Sequence, residues 1–130
     1  MHMVRKLLLL LTLCSGFAFA QTRVYELRTY TCFEGKLDAL LTRFRDHTVR
    51  IFNKHGMESV GYWIPQDERQ KTTLIYVLAH PSLEAAKKNW AEFSADPEWK
   101  KVAAASEANG KIVQKVDRVF MDPTDFSKLK

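Results

Sequence analysis

Residues 72–80 read TTLIYVLAH, and this run is rich in β-branched and aromatic side chains, which predicts a β-strand. The central part, residues 74–79, is apolar throughout, so both faces of the strand are apolar. An antiparallel strand with one face in water alternates between apolar and polar side chains. We therefore expect the sheet that contains this strand to be covered on both sides.

Three more stretches of the chain are predicted to form strands. Residues 24–31 alternate in polarity, with Leu27 on one face and Glu26 and Arg28 on the other. Residues 57–64 form a second strand, which ends at a Pro-Gln-Asp turn, and residues 111–121 form the last strand. The strand at 72–80 is then the third of four.

Helices are predicted between the first two strands and between the last two. Residues 36–55 carry apolar side chains at three- and four-residue steps, which is typical of an amphipathic helix, and Gly56 stands where a left-handed residue would end it. Ser82 is the expected N-cap of a second helix. A short extra helix follows, with Asp96 as its cap and Pro97 at its first position.

The order of these elements predicts an α+β fold of the ferredoxin-like βαββαβ type. Right-handed crossovers place both helices on one face of a four-stranded antiparallel sheet. The other face then has no cover from its own chain. Because the third strand is apolar on both faces, we expect a second copy to cover it, with the two sheets face to face about a two-fold axis in a homodimer.

The first twenty residues have the features of a signal peptide. Arg5 and Lys6 precede the apolar stretch 7–20, which ends in Ala18-Phe19-Ala20. Cleavage after Ala20 would leave one domain, residues 21–130, in the periplasm or secreted. An uncleaved anchor is the alternative, but the stretch is shorter than the roughly 20 residues that span a bilayer. A lipid anchor on Cys14 would need a small residue where Leu13 stands, and no later segment is apolar enough to cross a membrane.

Charge and cysteine content argue against a nucleic-acid-binding protein and against a fold held by an internal disulfide. Loss of Arg5 and Lys6 lowers the formal net charge from +5 by two, to +3, and the remaining basic residues are spread along the chain, so no nucleic-acid partner is expected. Cys32 is then the only cysteine, which rules out an internal disulfide; it is either buried or reactive, and we expect burial.

No metal site or cofactor is expected from the histidines. His47 and His55 are eight residues apart, about 12 Å along a helix. That separation is too long for them to share one ion. Haem needs only a single histidine, but nothing else in the sequence points to it.

Glu26, Arg28 and Tyr30 are the first candidate site residues, because they share one face of the first strand. This face is opposite Leu27, and we assign it to the interior of the dimer barrel. In a functional interpretation, Arg28 holds an anionic or carbonyl group and Glu26 or Tyr30 handles a proton. In a structural one, Glu26 and Arg28 pair with each other or across the two-fold axis, and only keep the dimer in register.

Further candidates come from one histidine and two tryptophans. His47 borders the apolar stripe of the long helix and is predicted to face the sheet, either as a core histidine or as a base or ligand in a pocket. Trp63 and Trp99 are candidates for a pocket or an interface. Trp90 lies on the stripe of the second helix and is expected in the core.

Several of these segments together resemble the NIPSNAP domain. They are Val24-Tyr25-Glu26-Leu27-Arg28-Thr29-Tyr30, Gly35-Lys36, His47, Lys54-His55-Gly56-Met57, Val60-Gly61-Tyr62-Trp63 and Ala95-Asp96-Pro97-Glu98-Trp99. The likeness runs from about residue 23 to residue 126. It implies the dimeric α/β-barrel superfamily, which includes small cofactor-independent oxygenases, haem-degrading enzymes, isomerases and binding proteins.

The resemblance implies less about activity than about fold, because the NIPSNAP group has no agreed reaction. Its animal members are associated with mitochondria and with recruitment of partner proteins, whereas this chain is a short domain with a predicted export signal. We expect a dimer that binds a small apolar or carbonyl-bearing molecule, and cofactor-independent catalysis stays open. The alternative is a non-catalytic dimeric protein-interaction module.

Overall fold

The computed structural model describes residues 22–130, which form a four-stranded antiparallel sheet with the α-helices on one face and a short 3-10 helix (Glu68–Gln70) between the second and third strands. The strands are β1 (Val24–Cys32), β2 (Glu58–Trp63), β3 (Thr73–His80) and β4 (Val113–Met121), in the order β2-β3-β1-β4. This order confirms the predicted ferredoxin-like βαββαβ fold. The predicted signal peptide, residues 1–20, lies outside the described residues, so its cleavage stays a prediction.

The long helix after β1 contains a wide turn that periodicity alone did not predict. Helix α1 (Leu37–Arg43) continues into a π-helical turn (Phe44–Thr48) and then into α2 (Val49–Lys54). In this turn the Val49 N–H donates to the Phe44 carbonyl five residues back, and the Thr48 hydroxyl donates to the Arg43 carbonyl at 3.3 Å. Gly56, with φ of +74°, ends the helix as predicted.

Capping side chains set the starts of the other two helices, as predicted. Helix α3 (Leu83–Ala95) begins after Ser82, whose hydroxyl accepts the Ala85 N–H at 3.0 Å. Helix α4 (Pro97–Ser106) begins after Asp96, whose carboxylate accepts the Glu98 N–H at 2.8 Å. Every helix within residues 22–130 is too short or too polar to cross a bilayer.

The hydrophobic core lies between the helices and one face of the sheet, which we call the helix-side face. Its fully buried side chains include Leu40, Ile51, Phe52, Met57, Leu74, Tyr76, Leu78 and Ile112. The Phe44 ring makes edge contacts with Tyr30 and Tyr76 at centroid distances of 5.9 and 5.2 Å. Cys32 is buried here, as expected; burial raises the pKa of its thiol, and nearby Arg43 only partly opposes this.

The opposite side of the sheet, which we call the open face, carries none of the helices that residues 22–130 form. Strand register aligns Val119, Leu27 and Val77 in one apolar row across β4, β1 and β3. The C-terminal tail, residues 122–130, crosses one end of this face: the Arg23 Nε donates to the Lys130 carbonyl at 3.4 Å, and Tyr25 beneath the tail is buried. Nothing else within residues 22–130 covers this face, and Val119 is 53% exposed.

Candidate functional site

The polar residues of β1 lie on the helix-side face, and this corrects our assignment of Glu26, Arg28 and Tyr30 to the barrel interior. Glu26 is 0% exposed and Arg28 is 9% exposed. Polarity suggested that the charged face should point away from the helices. The structure buries it instead because partners from α3 and β3 converge on the charges, and buried charges are tolerated when they are paired.

Glu26 is the centre of this group, which we call the Glu26 network. Its Oε1 accepts hydrogen bonds from His80 Nε2 at 2.8 Å and from the Trp90 indole N–H at 2.7 Å. Its Oε2 accepts from Arg28 at 2.9 Å. The carboxylate therefore ties β1 to β3 and to α3.

Arg28 extends the network towards the tyrosines. It donates to the Tyr30 hydroxyl at 3.2 Å, and the Tyr76 hydroxyl donates to Tyr30 at 3.0 Å. The guanidinium carbon lies 4.1 Å from the centroid of the Trp90 ring, a cation–π contact. Arg28 Nε and His80 Nδ1 are the network atoms that are buried without a partner.

The electrostatics of the network keep Glu26 and Arg28 charged. Burial acts to raise the pKa of Glu26, but the hydrogen bonds from His80, Trp90 and Arg28 outweigh it, so the pKa lies below the ordinary value. Burial acts to lower the pKa of Arg28, and its neighbours Tyr30, Tyr76 and Glu26 raise it instead. Burial raises the pKa of Tyr76 well above the usual range, and Tyr30 adds to that rise.

Most polar atoms of the Glu26 network are paired within the network, with Arg28 Nε and His80 Nδ1 as the exceptions, and this favours the structural interpretation of these residues. Within residues 22–130, the pockets of about 900, 400 and 200 Å³ are lined by other residues than Glu26, Arg28 and His80. Reasoning from sequence missed His80 and gave Trp90 only a packing role. One signal was available: His80 closes an otherwise apolar strand, and its side chain shares a face with Tyr76.

His47 is exposed, which corrects the prediction that it faces the sheet. The prediction assumed α-helical geometry, in which a residue three after buried Phe44 borders the same stripe. His47 instead lies in the π-helical turn, where each residue advances the chain by a smaller angle. The residue three positions after Phe44, which is His47, therefore lies further from the apolar stripe, and its imidazole faces solvent.

The two candidate tryptophans lie on opposite sides of the sheet. Trp99 packs on Phe93 at a centroid distance of 4.6 Å, and the Arg43 guanidinium lies 5.2 Å from its ring, so it belongs to the helix side. Trp63 is 52% exposed on the open face. Its ring covers Gly61, where a β-carbon would come within 2.6 Å of the indole. Gly61 therefore makes room for a half-exposed indole on this face.

A pocket of about 400 Å³ lies on the open face beneath the C-terminal tail, and we call it the open-face pocket. The sheet contributes Tyr25, Val60, Trp63, Val77 and Met121, and the tail contributes Asp122, Pro123, Thr124, Ser127 and Leu129. Its volume and mostly apolar lining are typical of small-molecule sites. Trp63 is the one candidate from the sequence that lines it.

A second, smaller pocket of about 200 Å³ lies beside the π-helical turn, and we call it the π-turn pocket. It is lined by Leu41, Phe44, Arg45, Val49, Tyr62 and Leu74. A wider depression of about 900 Å³, of mixed polarity, lies among the loops that follow β1 and β2. Within residues 22–130, no three side chains of the metal-ligating types converge to hold an ion.

Comparison with protein families identifies the domain type. The model of the family described as NIPSNAP matches residues 25–128. The matched segment includes helices α1 to α4 and all four strands except the first residue of β1. No curated protein matches the chain.

Solved structures agree with this match. A NIPSNAP family protein of unknown function from Agrobacterium tumefaciens is 25% identical, with a TM-score of 0.73, and the alignment covers 86% of this chain and 97% of that one. Another NIPSNAP family protein from the same organism is 19% identical with a TM-score of 0.73 over 83% and 99%. An uncharacterised NIPSNAP-like domain protein from Burkholderia xenovorans is 16% identical with a TM-score of 0.70 over 82% and 90%.

Proposed function

The chain belongs to the NIPSNAP family, and from that premise we propose that it is a homodimer which binds a small apolar or carbonyl-bearing molecule in the open-face pocket. The observation that carries the proposal is the uncovered apolar row of Val119, Leu27 and Val77. Two sheets that pack face to face bury such rows against each other at a spacing of about 10 Å.

The open-face pocket supports the ligand part of this proposal. Val77 belongs both to the apolar row and to the pocket lining, so a second copy on the open face would lie next to the pocket mouth. Thr124 and Ser127 line the tail side, and the Ser127 hydroxyl donates to the Leu129 carbonyl at 2.8 Å. The Thr124 hydroxyl is a donor suited to a carbonyl oxygen, while the sheet side offers Val60, Val77 and the Trp63 indole to an apolar body.

Two valines on one strand provide a matched test of the dimer. Val119 and Val116 both lie on β4 and are 53% and 45% exposed, but only Val119 is on the open face. Val119→Glu should weaken the dimer about 100-fold or more, because a buried uncompensated charge costs about 3–5 kcal/mol. Val116→Glu should sediment like the wild type. If both variants sediment alike, the open face is not the interface.

The ligand part is tested with 2-heptanone, an apolar chain that carries one carbonyl, by calorimetric titration. Val77→Phe fills the open-face pocket and should abolish binding. Val119→Phe, on the same face but outside the pocket lining, should preserve it. Binding that survives Val77→Phe, or no binding to the wild type at millimolar concentration, would contradict this assignment.

A second candidate function is a dimeric protein-interaction module without a small-molecule ligand. The half-exposed Trp63 indole favours it, since large aromatic side chains are enriched at the centres of protein interfaces. In that case the dimer forms and Trp63→Ala weakens it, but 2-heptanone gives no binding heat.

We also propose that the protein works outside the cytoplasm after cleavage at Ala20. The basic n-region, the apolar stretch and Ala18-Phe19-Ala20 support this. Exported protein should begin at Gln21 by intact-mass measurement, and retention of Met1 would contradict it.

A further inference from the structure

We propose that the π-turn pocket binds a small monocarboxylic acid, with the apolar body in the pocket and the carboxylate on Arg45. This site is separate from the open-face pocket and does not depend on the proposed function. It lies on the helix side of the sheet, between the π-helical turn and the side chains of Tyr62 and Leu74.

The π-helical turn lines up the three helical residues on the pocket wall. Leu41, Arg45 and Val49 are spaced by four, and each such step in an α-helix rotates the side chain by roughly 40°. The π-helical turn (Phe44–Thr48) advances each residue by a smaller angle and so offsets this drift between Arg45 and Val49. Turns of this kind occur frequently at functional sites.

The size and lining of the pocket limit the ligand's body. An apolar cavity of about 150 Å³ holds one benzene molecule, so a pocket of about 200 Å³ suits one aromatic ring or a short alkyl chain. Phe44 and Tyr62 supply aromatic walls with a centroid distance of 5.6 Å. The Tyr62 hydroxyl is engaged with Ser59 at 2.8 Å and does not provide a free polar group.

Arg45 determines the charge of the ligand. Its helical neighbours Arg43 and Arg50 lie within ion-pair distance of Glu107 and Glu98. Arg45, by contrast, forms no ion pair within residues 22–130, although it lines an apolar pocket. An unpaired guanidinium at the edge of such a pocket can hold a carboxylate through two parallel N–H···O bonds.

The probes are phenylacetate and its neutral counterpart 2-phenylethanol. Each is titrated by NMR into the protein without its predicted signal peptide, residues 21–130. Wild-type protein should bind phenylacetate about tenfold more tightly than 2-phenylethanol, the gain from a charge-assisted hydrogen bond. Arg45→Gln should remove this preference while binding of 2-phenylethanol is kept. Arg118→Gln removes another exposed arginine that does not line the pocket, and should behave like the wild type.

Two more variants locate the site. Val49→Phe fills the π-turn pocket and should abolish binding of both probes, whereas Val116→Phe, an exposed position on β4 that lines neither this pocket nor the open-face pocket, should leave both unchanged. The proposal is overturned if wild-type protein binds neither probe at millimolar concentration, or if Arg45→Gln keeps the preference for phenylacetate. Since Arg45 is exposed, that variant is expected to fold normally, so its result stands even if Val49→Phe is unstable.

Discussion

The helix-side face and the open face of the sheet are built from alternate residues of the same four strands, yet their chemistry differs. On the helix-side face, Glu26 accepts hydrogen bonds from His80, Trp90 and Arg28. On the open face, Leu27 and Val77 form an apolar row that none of the helices α1 to α4 covers. Charge is buried where hydrogen-bonding partners from β3 and α3 converge on it, whereas the apolar row stays exposed where we propose that a second copy packs.

The largest effect is expected from breaking the buried pair. Arg28→Met leaves the Glu26 carboxylate without its guanidinium partner, and we expect the free energy of unfolding to fall by about 3–5 kcal/mol in urea melts. The double variant with Glu26→Gln should recover much of this loss, because it removes the uncompensated charge. If these variants melt like the wild type, the Glu26–Arg28 pair on the helix-side face does not contribute to stability as a buried charge pair.

Low pH should lower the free energy of unfolding, because it protonates the buried Glu26 carboxylate on the helix-side face. Its pKa is lowered in the folded state, so its contribution is fully present above the unfolded carboxyl pKa and is lost as the pH falls through the folded value. The stability difference between wild type and Glu26→Gln should therefore shrink below about pH 4.5, by at most about 1.4 kcal/mol per pH unit. A difference that stays constant from pH 6 to pH 2.5 would contradict this linkage.

A smaller effect is expected at the tyrosine end of the network. Tyr76→Phe removes the hydroxyl that donates to Tyr30, and about 1 kcal/mol of stability should be lost. Thr29→Val, on the open face opposite Ile75, should change monomer stability by no more than about 0.5 kcal/mol. If Tyr76→Phe and Thr29→Val lose the same amount of stability, the polar groups of the helix-side face contribute no more than those of the open face at this end of the sheet.

The fold could be predicted because it depends on local patterns. Strand alternation, the apolar helical stripe, the Ser82 and Asp96 caps and the Gly56 stop each act over a few residues, and the structure confirms them. The two errors of the sequence analysis, at His47 and at the polar face of β1, both concern the direction in which side chains point. His47 was misplaced because a π-helical turn has no periodic signature in the sequence.

The face of β1 was misassigned because burial of Glu26 depends on groups far away in the chain. His80 and Trp90 are 54 and 64 residues from Glu26, and only the folded sheet and α3 bring them together. Alternation identifies which residues share a face. It does not identify which face the helices cover when one face is charged and the other is apolar.

Sedimentation equilibrium of the wild-type chain, residues 21–130, at micromolar concentration tests the contrast between the two faces most directly. If the open face is left apolar for a second copy, the protein sediments with twice the mass of one chain, and dilution yields folded monomer rather than unfolded chain. A stable, well-folded monomer at this concentration, with the row of Val119, Leu27 and Val77 in water, would contradict the account.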